Sequence, residues 1–473
     1  MPEFDTDVLR EWALGRWVQG RPQKVSGFSI DTRKIKNGDL FVALKTDSRD
    51  GHDFLESARL RGASGAMVTR VNNQIRLPQL KVDDPLRSLQ RIAATWRRRF
   101  PHPVIGVTGS CGKTSTKELL AKLLGDTGVH RTKDNSNNHI GVPLTLLEID
   151  PFRHHFAVVE AGSNSPGEIE FLARLIDCNE SLITGVAPAH IGNFGTIEKI
   201  ATEKAQLGKY TRPDGNVIFP GSCAKFSDFE DFLATSVILV PSALSEATPQ
   251  LNGKLVYWNH FRHTPAKGVC WIELRQPPLS QRRFEISCFS PGMLANAALA
   301  IVAATVLGRS DEEIREGLRR WKPSPFRGEG VVRGEQLYYV DCYNANPTSM
   351  LDAFDAFDIF APPEMARLYI LGGMAELGEL SSQFHREVGE KLVLRGEDRV
   401  VLIGDESEQY KEGLLASGAQ ESQIILKDSV EEARGILRFF RGAVFIKGSR
   451  SFQLERLVPE SISDMDDRGE EAC

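Results

Sequence analysis

Short apolar runs alternate with amphipathic segments along most of the chain. Runs bounded by glycine, proline and aspartate are typical of buried strands, whereas apolar residues at every third or fourth position are typical of helices. The alternation predicts an α/β protein. The predicted strands cover residues 28–33, 38–44, 65–69, 104–107, 156–162, 216–219, 236–240, 268–272, 283–287, 337–340, 366–371, 399–403, 423–426 and 443–446, with a further strand from residue 181.

Proline-containing segments divide this pattern into three units. Pro101 and Pro103 stop a helix before the next strand begins, and residues 321–329 form a second linker. A chain of 473 residues also exceeds what one hydrophobic core usually organises. We therefore predict domains at residues 1–98, 99–322 and 323–473. The third has the strand–helix alternation of a doubly wound parallel sheet, followed by an acidic tail after Pro459 that we expect to be disordered.

The middle unit opens with the pattern of a phosphate-binding loop. An apolar strand runs into the segment Thr108-Gly-Ser-Cys-Gly-Lys-Thr-Ser115, and an amphipathic helix follows from Lys113. In such a loop the backbone amides and the helix N-terminus bind phosphate, a lysine adds a cation, and a hydroxyl faces Mg²⁺. The usual spacing is missed by one position, because Val107 stands where the first glycine is expected. We still predict a nucleoside triphosphate site rather than an ordinary glycine-rich turn.

Polar residues follow the next strands of the middle unit. Glu160 lies at a strand end, the edge of a parallel sheet that faces the ligand, and so is a natural Mg²⁺ carboxylate beside Thr114. His190 follows a later strand on the same face, although a lone histidine is usually structural. Residues 135–138, Asn-Ser-Asn-Asn, form either a surface loop or a substrate-facing one. Lys204, taken alone, is an ordinary helical lysine.

The other two units also carry polar clusters. Three of them end strands of the third unit, at residues 341–347, 372–378 and 447–450. Because parallel strands end at the same edge of a sheet, we expect these clusters to lie close together. In the first unit, several loop residues either line a polar pocket or act as turn formers. These residues are Ser29, Thr32, Arg33, Ser48 and His52.

Composition and charge argue against several classes of protein. The net charge of −5 offers no electrostatic basis for binding nucleic acid or an anionic membrane, and the arginines at 97–99 are better explained as a solvated helix end. The N-terminus lacks a signal-peptide pattern, and no apolar run approaches the length that crosses a bilayer. The seven cysteines contain no C-x-x-C pair, so we expect a cytoplasmic protein. Cys111 is then a small tolerated side chain rather than a catalytic thiol.

Motifs from all three units resemble those of the ATP-dependent Mur ligases of peptidoglycan synthesis. The middle unit contributes the phosphate loop, residues 135–138, residues 159–162, His190 and Glu203-Lys204. The other units contribute residues 31–33, 38–44, 50–52, 341–350, 371–379 and 447–450, with His385. This resemblance implies a small α/β UDP-binding domain, a central P-loop ATP-binding domain and a C-terminal Rossmann-like domain.

The third-unit motifs are most similar to those of the Mur ligases that add D-alanyl-D-alanine. The resemblance implies that ATP activates the terminal carboxylate of UDP-N-acetylmuramoyl-tripeptide as an acyl phosphate, which the amine of D-alanyl-D-alanine then attacks. It implies ATP and Mg²⁺ as cofactors, no nucleic-acid or membrane partner, and a monomer in the cytoplasm.

The resemblance also implies roles for individual residues. Lys113, Glu160, His190 and Lys204 would be catalytic, and Thr114, Glu160, His190 and Lys204, the last as a carbamate, would hold Mg²⁺. The residues implied for ATP are Thr108, Gly109, Ser110, Cys111, Gly112, Lys113, Thr114, Ser115, Asn296, Arg327, Asp341, Tyr343, Asn344 and Asn346. Those implied for the UDP-linked substrate are Ser29, Arg33, Ser48 and Asn138.

Other functions stay open at the level of sequence. A Mur-type ligase that adds the third peptide residue, or a relative of the folylpolyglutamate or cyanophycin type, is one alternative. Residues 343–347 and 374–378 favour the D-alanyl-D-alanine-adding enzyme, and an Asp-Asn-Pro-Arg motif typical of ligases for diamino acids is absent. A P-loop kinase or ATPase module is the alternative from another class, but it would have no need of the third unit.

Overall fold

The structure, a computed structural model, describes residues 2–241, 255–264, 269–275 and 281–458. Within these ranges it contains sheets of five, nine and six strands, each with flanking helices. The predicted α/β class and three-domain architecture are confirmed. The predicted acidic tail lies outside the described residues. None of the described helices is long and apolar enough to cross a membrane.

The first domain is a small twisted layer with one antiparallel edge. Its elements are α1 Thr6–Ala13, β1 Arg16–Val18, β2 Gly27–Ser29, β3 Asp39–Val42, α2 Leu55–Leu60, β4 Gly65–Val68, β5 Gln79–Lys81 and α3 Pro85–Arg97. The strand order is β1-β5-β4-β3-β2, with β1 antiparallel to β5. The strand predicted at 28–33 ends at Ser29, because the Asp31 carboxylate accepts the Arg33 N–H at 2.9 Å and starts a 3-10 turn.

The middle domain is built on a nine-stranded sheet. Its elements are β6 Val104–Thr108, α4 Lys113–Leu123, β7 Val129–Arg131, α5 Gly141–Leu147, β8 Phe156–Glu160, α6 Glu168–Ile176, β9 Glu180–Ile183, α7 Ile191–Phe194, α8 Ile197–Lys209, β10 Val217–Pro220, β11 Ser236–Pro241, β12 Leu255–Thr264, β13 Val269–Arg275, β14 Arg282–Ser287, α9 Pro291–Val306 and α10 Asp311–Arg320. The strand order is β14-β13-β12-β11-β10-β9-β6-β8-β7. All strands from β12 to β7 in this spatial order, β6 included, are parallel. Strand β6 therefore lies between β8 and β9, with Val107 beside Glu160.

The third domain is a doubly wound sheet with one added antiparallel strand. Its elements are β15 Glu329–Arg333, β16 Gln336–Val340, α11 Pro347–Phe360, β17 Arg367–Gly372, α12 Ser381–Lys391, β18 Arg399–Ile403, α13 Ser407–Ala416, β19 Ile424–Lys427, α14 Val430–Phe439 and β20 Ala443–Lys447. The order is β15-β16-β20-β17-β18-β19, and β15 pairs antiparallel with β16. Sequence reasoning missed β15 because this edge strand is largely exposed and has no buried apolar run.

Two hydrophobic cores cross the predicted domain limits. Leu9 and Leu89 of the first domain belong to the same buried cluster as Val104 and Leu146 of the middle domain. Ile191 and Phe194 of α7 likewise share a cluster with Met374 and Leu377 of the third domain. Neighbouring domains are therefore held together by apolar packing at these boundaries as well as by the linkers.

The structure corrects one prediction at the boundary between the first and middle domains, and the correction concerns Arg97. The sequence predicted a solvated arginine run, and Arg98 and Arg99 are indeed exposed, but Arg97 is fully buried. Its guanidinium donates to the carbonyls of Ile176 and Asp177 at 2.8 Å each, and burial lowers its pKa to about 10. These carbonyls end α6, so Arg97 ties the first-domain helix α3 to the middle domain.

Candidate active site

A cavity of about 540 Å³ lies between the middle and third domains. It is lined by the phosphate loop, by the end of β8, by the start of α9, by the loop that follows β16, and by Lys447 at the end of β20. Predicted site residues that line it are Ser110, Cys111, Gly112, Lys113, Thr114, Ser115, Asn138, Glu160, His190, Asn296, Arg327, Asp341, Tyr343, Asn344 and Asn346. Residues from distant parts of the chain are thus brought to one polar site.

Two glycines allow the phosphate loop its tight path. Gly109 has φ 142° and Gly112 has φ 78°, both in the region that disfavours side chains. A Cβ at Gly112 would lie 2.1 Å from Asn296 Nδ2, and one at Gly109 would lie 2.0 Å from Thr184 Oγ1. The loop is therefore held between α9 and the end of β9, with no room for larger residues at these positions.

Lys113 begins α4 and lies where phosphate would bind. Its Nζ donates to the carbonyl oxygens of Gly109, at 2.8 Å, and Ser110, at 3.4 Å. Burial lowers the pKa of Lys113, while the nearby Glu160 carboxylate opposes that shift. Phosphate oxygens at the loop would supply a stronger partner for this ammonium than the two carbonyls do.

Glu160 lies at the centre of a hydrogen-bonded group beneath the loop. Its Oε1 accepts from Asn137 Nδ2 at 2.8 Å and from Thr114 Oγ1 at 3.3 Å. Its Oε2 is buried without a hydrogen bond, and the closest cation is Lys117 Nζ at 3.7 Å. Lys117 is itself fully buried and donates to the carbonyl of Thr132 at 2.6 Å. This arrangement fixes a carboxylate with one unsatisfied oxygen beside the Thr114 hydroxyl.

The oxygen set around Glu160 fits a hard divalent cation. A buried carboxylate oxygen without a hydrogen-bond donor is the kind of group that a Mg²⁺ ion would satisfy, and a threonine hydroxyl supplies a second oxygen. Across the described ranges, no group of three or more His, Cys, Asp or Glu side chains is placed to hold a metal. That finding is compatible with Mg²⁺, which commonly binds through one or two protein oxygens together with water and substrate phosphates.

His190 lines the cavity, and Lys204 lies behind its wall. His190 precedes α7 in a left-handed conformation, φ 55°, and its Nδ1 contacts the Glu376 carboxylate of the third domain. Lys204 does not line the cavity itself; its buried Nζ donates to Ser163 Oγ at 2.6 Å, and Ser163 does line it. Burial, reinforced by Lys113, lowers the pKa of Lys204 to about 7. Lys204 is therefore no ordinary helical lysine.

The third-domain residues form the opposite wall. Arg327 stacks over the Tyr343 ring, with its guanidinium carbon 3.8 Å from the ring centroid, and Nη2 donates to Thr114 Oγ1 at 3.3 Å. Lys447 is buried and its Nζ lies 2.5 Å from Asp341 Oδ2; it also donates to the Asn344 carbonyl. Arg327 thus brings the third domain into direct contact with the start of α4.

Asn346 of the third domain also contacts the phosphate loop of the middle domain. Its Nδ2 lies 3.1 Å from Cys111 Sγ, while its Oδ1 accepts the Ser349 N–H and caps α11. Burial raises the pKa of the Cys111 thiol, which favours the neutral form. The structure therefore supports Cys111 as a small packing residue, because a nucleophilic cysteine needs a lowered pKa.

Several predicted residues lie away from the cavity. Ser29 donates to the Asp31 carbonyl, Arg33 is exposed and paired with Asp31, and Ser48 is exposed in a loop of the first domain. Thr108 and Gly109 begin the phosphate loop but do not line the cavity, and Thr108 Oγ1 donates to the Ala161 carbonyl at 2.8 Å. Asn138, in contrast, lines the cavity, and its Oδ1 also accepts hydrogen bonds from the N–H groups of Ile140 and Gly141 at the start of α5.

Two residues that bear on the site were missed by sequence reasoning. Lys117 follows Lys113 by one helical turn, so its position on the same face of α4 was a usable signal. Asp352 had no such signal, because its partners belong to the middle domain. Its carboxylate accepts from Ser290 Oγ and from the Gly292 N–H, each at 2.6 Å, at the N-terminus of α9. Burial raises the pKa of Asp352.

Comparison with known proteins adds independent evidence. Three family models match successive parts of the chain: "Mur ligase family, catalytic domain" at residues 24–97, "Mur ligase middle domain" at 107–304, and "Mur ligase, glutamate ligase domain" at 327–450. Two similar relatives are both UDP-N-acetylmuramoyl-tripeptide–D-alanyl-D-alanine ligases. The Escherichia coli K12 protein is 32% identical, with 93% of this chain and 94% of the relative covered. The Synechocystis protein is 33% identical, with 81% and 80% covered.

Solved structures show the same relationship. A crystal structure of MurF from Acinetobacter baumannii matches with a TM-score of 0.84 and 26% identity, over 98% of this chain and 99% of that one. MurF from Thermotoga maritima in complex with ADP matches with a TM-score of 0.77 and 25% identity, over 94% and 99%. Since relatives above 30% identity align over most of their length and all three domains match, the chain belongs to the Mur ligase family.

Proposed function

We propose that this chain joins D-alanyl-D-alanine to UDP-N-acetylmuramoyl-tripeptide, with conversion of ATP to ADP and phosphate, in the synthesis of peptidoglycan precursors. The observation that carries the proposal is that one cavity is lined both by the phosphate loop and by strand-end residues of the third domain, such as Asp341 and Lys447. The relatives that bear this enzyme name support it, as does the ADP-bound MurF neighbour. A monomer in the cytoplasm is the form in which we expect it to act.

The first step is phosphoryl transfer to the substrate carboxylate. The terminal carboxylate of the tripeptide attacks the γ-phosphate of ATP, the bond to the β-phosphate oxygen breaks, and ADP leaves. The loop amides and Lys113 would hold the phosphates in line and balance their negative charge, which supplies most of the acceleration in such reactions. Arg327, which reaches Thr114 from the third domain, is positioned to add a second cation.

The second step forms the amide. The amine of D-alanyl-D-alanine attacks the acyl carbon, the C–N bond forms, phosphate leaves with its electron pair, and the nitrogen loses a proton. The walls contributed by both domains would limit access of water, which would otherwise hydrolyse the acyl phosphate. The first domain would hold the UDP-sugar portion through Ser29, Arg33 and Ser48, and Asn138 would contact the substrate nearer the cavity.

Mg²⁺ is part of the same proposal. Thr114 and Glu160 would hold one ion, and His190 with carbamylated Lys204 would help to hold a second. When bound, the ions would neutralise phosphate charge during transfer. The unsatisfied oxygen of Glu160 supports the first assignment, and the lowered pKa of Lys204 supports the second, because only the neutral amine reacts with carbon dioxide.

The alternatives are less well supported. A third-residue-adding Mur ligase matches with a TM-score of 0.50 at 18% identity, and a folylpolyglutamate synthase from Mycobacterium tuberculosis with 0.59 at 13%. Both likenesses concern the fold alone. A P-loop kinase or ATPase would not explain the third domain, whose Asn346 contacts Cys111 of the loop and whose Arg327 contacts Thr114.

Phosphate release distinguishes these functions. With ATP and Mg²⁺, we expect release to require both UDP-N-acetylmuramoyl-tripeptide and D-alanyl-D-alanine. Release with neither substrate would indicate a simple ATPase and would contradict the proposal. Release with a UDP-linked dipeptide and a single amino acid would indicate the third-residue-adding reaction instead.

Carbamylation of Lys204 can be tested directly. In buffer containing ¹³C-bicarbonate, we expect a ¹³C carbamate resonance in the wild-type protein and none in Lys204→Ala. Because the pKa of Lys204 is about 7, its neutral fraction grows from pH 6 to pH 8, and the resonance should grow with it. Activity should fall by about 10²-fold in Lys204→Ala if the carbamate helps to hold an ion that balances transition-state charge.

Lys199→Ala is the matched control, since Lys199 lies on the same helix but is exposed. This variant should keep both the resonance and the activity. A carbamate signal that persists in Lys204→Ala, or full activity without Lys204, would contradict the assignment.

A further inference from the structure

The third-domain loop at residues 373–378 is fixed by two buried side chains of its own domain. The Met374 N–H donates to His385 Nε2 at 2.8 Å, and the Ala375 N–H donates to Ser449 Oγ at 2.8 Å. Both acceptors are buried, and His385 Nδ1 lies 2.7 Å from the Ser381 carbonyl. The loop is thus held by side chains from α12 and from the segment after β20.

The tip of this loop meets the segment that carries His190. The Gly192 N–H donates to the Glu376 carbonyl at 3.1 Å, and a Cβ at Gly192 would lie 2.6 Å from the Gly378 nitrogen. Glu376 has φ 64° and His190 has φ 55°, so two residues with side chains adopt left-handed conformations at one contact. Such conformations persist where the surroundings enforce them, often at functional sites.

The Glu376 carboxylate forms an ion-pair contact with His190 Nδ1, a buried nitrogen that has no other polar partner among the described residues and no hydrogen bond of regular geometry. The carboxylate comes from the third domain and the imidazole from the middle domain. The Glu376 side chain is 45% exposed and that of His190, which lines the cavity, is 20% exposed, so the pair does not lie in a core. A negative oxygen at Nδ1 stabilises the tautomer that carries its proton there.

We propose that Glu376 is a positioning residue that holds the His190 proton on Nδ1 and makes Nε2 the unprotonated nitrogen. Nε2 would then be free to accept a hydrogen bond or bind a cation in the cavity. This part of the proposal rests on the ligase activity proposed above. It also gives the third domain a direct part in completing the site, because the tautomer is set only when the 373–378 loop is docked.

A neutral imidazole carries one proton, and the carboxylate decides which nitrogen holds it.

The tautomer can be read by NMR of the protein labelled with ¹⁵N-histidine, with His190→Gln used to assign the signal. In the wild type we expect the His190 resonances of an Nδ1-protonated ring. Glu376→Ala should give the Nε2-protonated form or a mixture, whereas Glu376→Gln, whose amide oxygen still accepts a hydrogen bond, should keep the wild-type pattern. An unchanged tautomer in Glu376→Ala would overturn the proposal.

Kinetics provide a second readout. We expect kcat to fall about 10- to 100-fold in Glu376→Ala, the range typical of groups that orient a functional histidine, with the KM for ATP nearly unchanged and partial recovery in Glu376→Gln. Glu387→Gln, an exposed change on α12, is the control and should behave as wild type. If wild type lacked ligase activity but showed the expected tautomer shift in Glu376→Ala, the proposed function would fail while Glu376 kept its positioning role. Equal kcat in all variants would contradict that role.

Discussion

Replacing Lys113 by alanine is expected to lower kcat by roughly 10³-fold, the scale on which a single cation acts in phosphoryl transfer. Lys113 lies at the N-terminus of α4, and its Nζ donates only to carbonyls of its own loop in the described structure. Phosphate oxygens would give this ammonium a stronger partner than those carbonyls. The measurement is ADP formation at saturating substrates, together with nucleotide binding.

The fold of Lys113→Ala should survive. Burial lowers the pKa of Lys113, which shows that the surroundings disfavour its charge, so alanine should not reduce the free energy of unfolding greatly. Lys122→Ala is the matched control: Lys122 lies on the same helix but pairs with Asp126 away from the cavity. Near-normal turnover in Lys113→Ala would contradict the phosphate-binding role.

The phosphate loop could be predicted because its determinants are local. The strand, the two glycines and the helix start lie within one short segment, and Glu160 follows from a general rule that parallel strands end at the same edge of a sheet. The structure brings Lys113, Thr114 and Glu160 together as that rule requires. Their catalytic roles stay predictions, to be tested by the variants described here.

Contacts between domains could not be predicted in the same way. The contact of Glu376 with His190 and that of Asp352 with Ser290 join residues far apart in sequence, so no local pattern indicates them. Arg97 was misassigned for the same reason: an arginine run indicates a solvated helix end until the carbonyls of another domain are placed beside it. The edge strand β15 lacked the apolar pattern on which strand prediction depends.

The first-domain residues illustrate a further limit. Ser29, Arg33 and Ser48 were implied by resemblance, and the structure places them outside the cavity of the nucleotide site. Polar loop residues are also common in turns. Asp31 provides the example, since its carboxylate caps a turn and pairs with Arg33.

Glu160→Gln is expected to lower activity by about 10²- to 10³-fold and to raise the Mg²⁺ concentration needed for half-maximal turnover. The amide can still accept from Asn137 and Thr114, so the local hydrogen bonds are largely kept. What is lost is the negative charge on a carboxylate whose second oxygen has no hydrogen bond. Mn²⁺ binding in the presence of a non-hydrolysable ATP analogue, followed by electron paramagnetic resonance, should weaken in parallel.

The variant Glu118→Gln separates the loss of metal binding expected in Glu160→Gln from the loss of an ion pair with Lys117. Glu118 and Glu160 both pair with the buried Lys117, at 3.0 Å and 3.7 Å, but only Glu160 is among the residues that line the described cavity. Both variants remove a charge beside Lys117, so both should lower the free energy of unfolding to some extent. Metal binding should weaken in Glu160→Gln alone. Equal metal binding in wild type and Glu160→Gln would show that the unsatisfied oxygen serves Lys117 and not a cation.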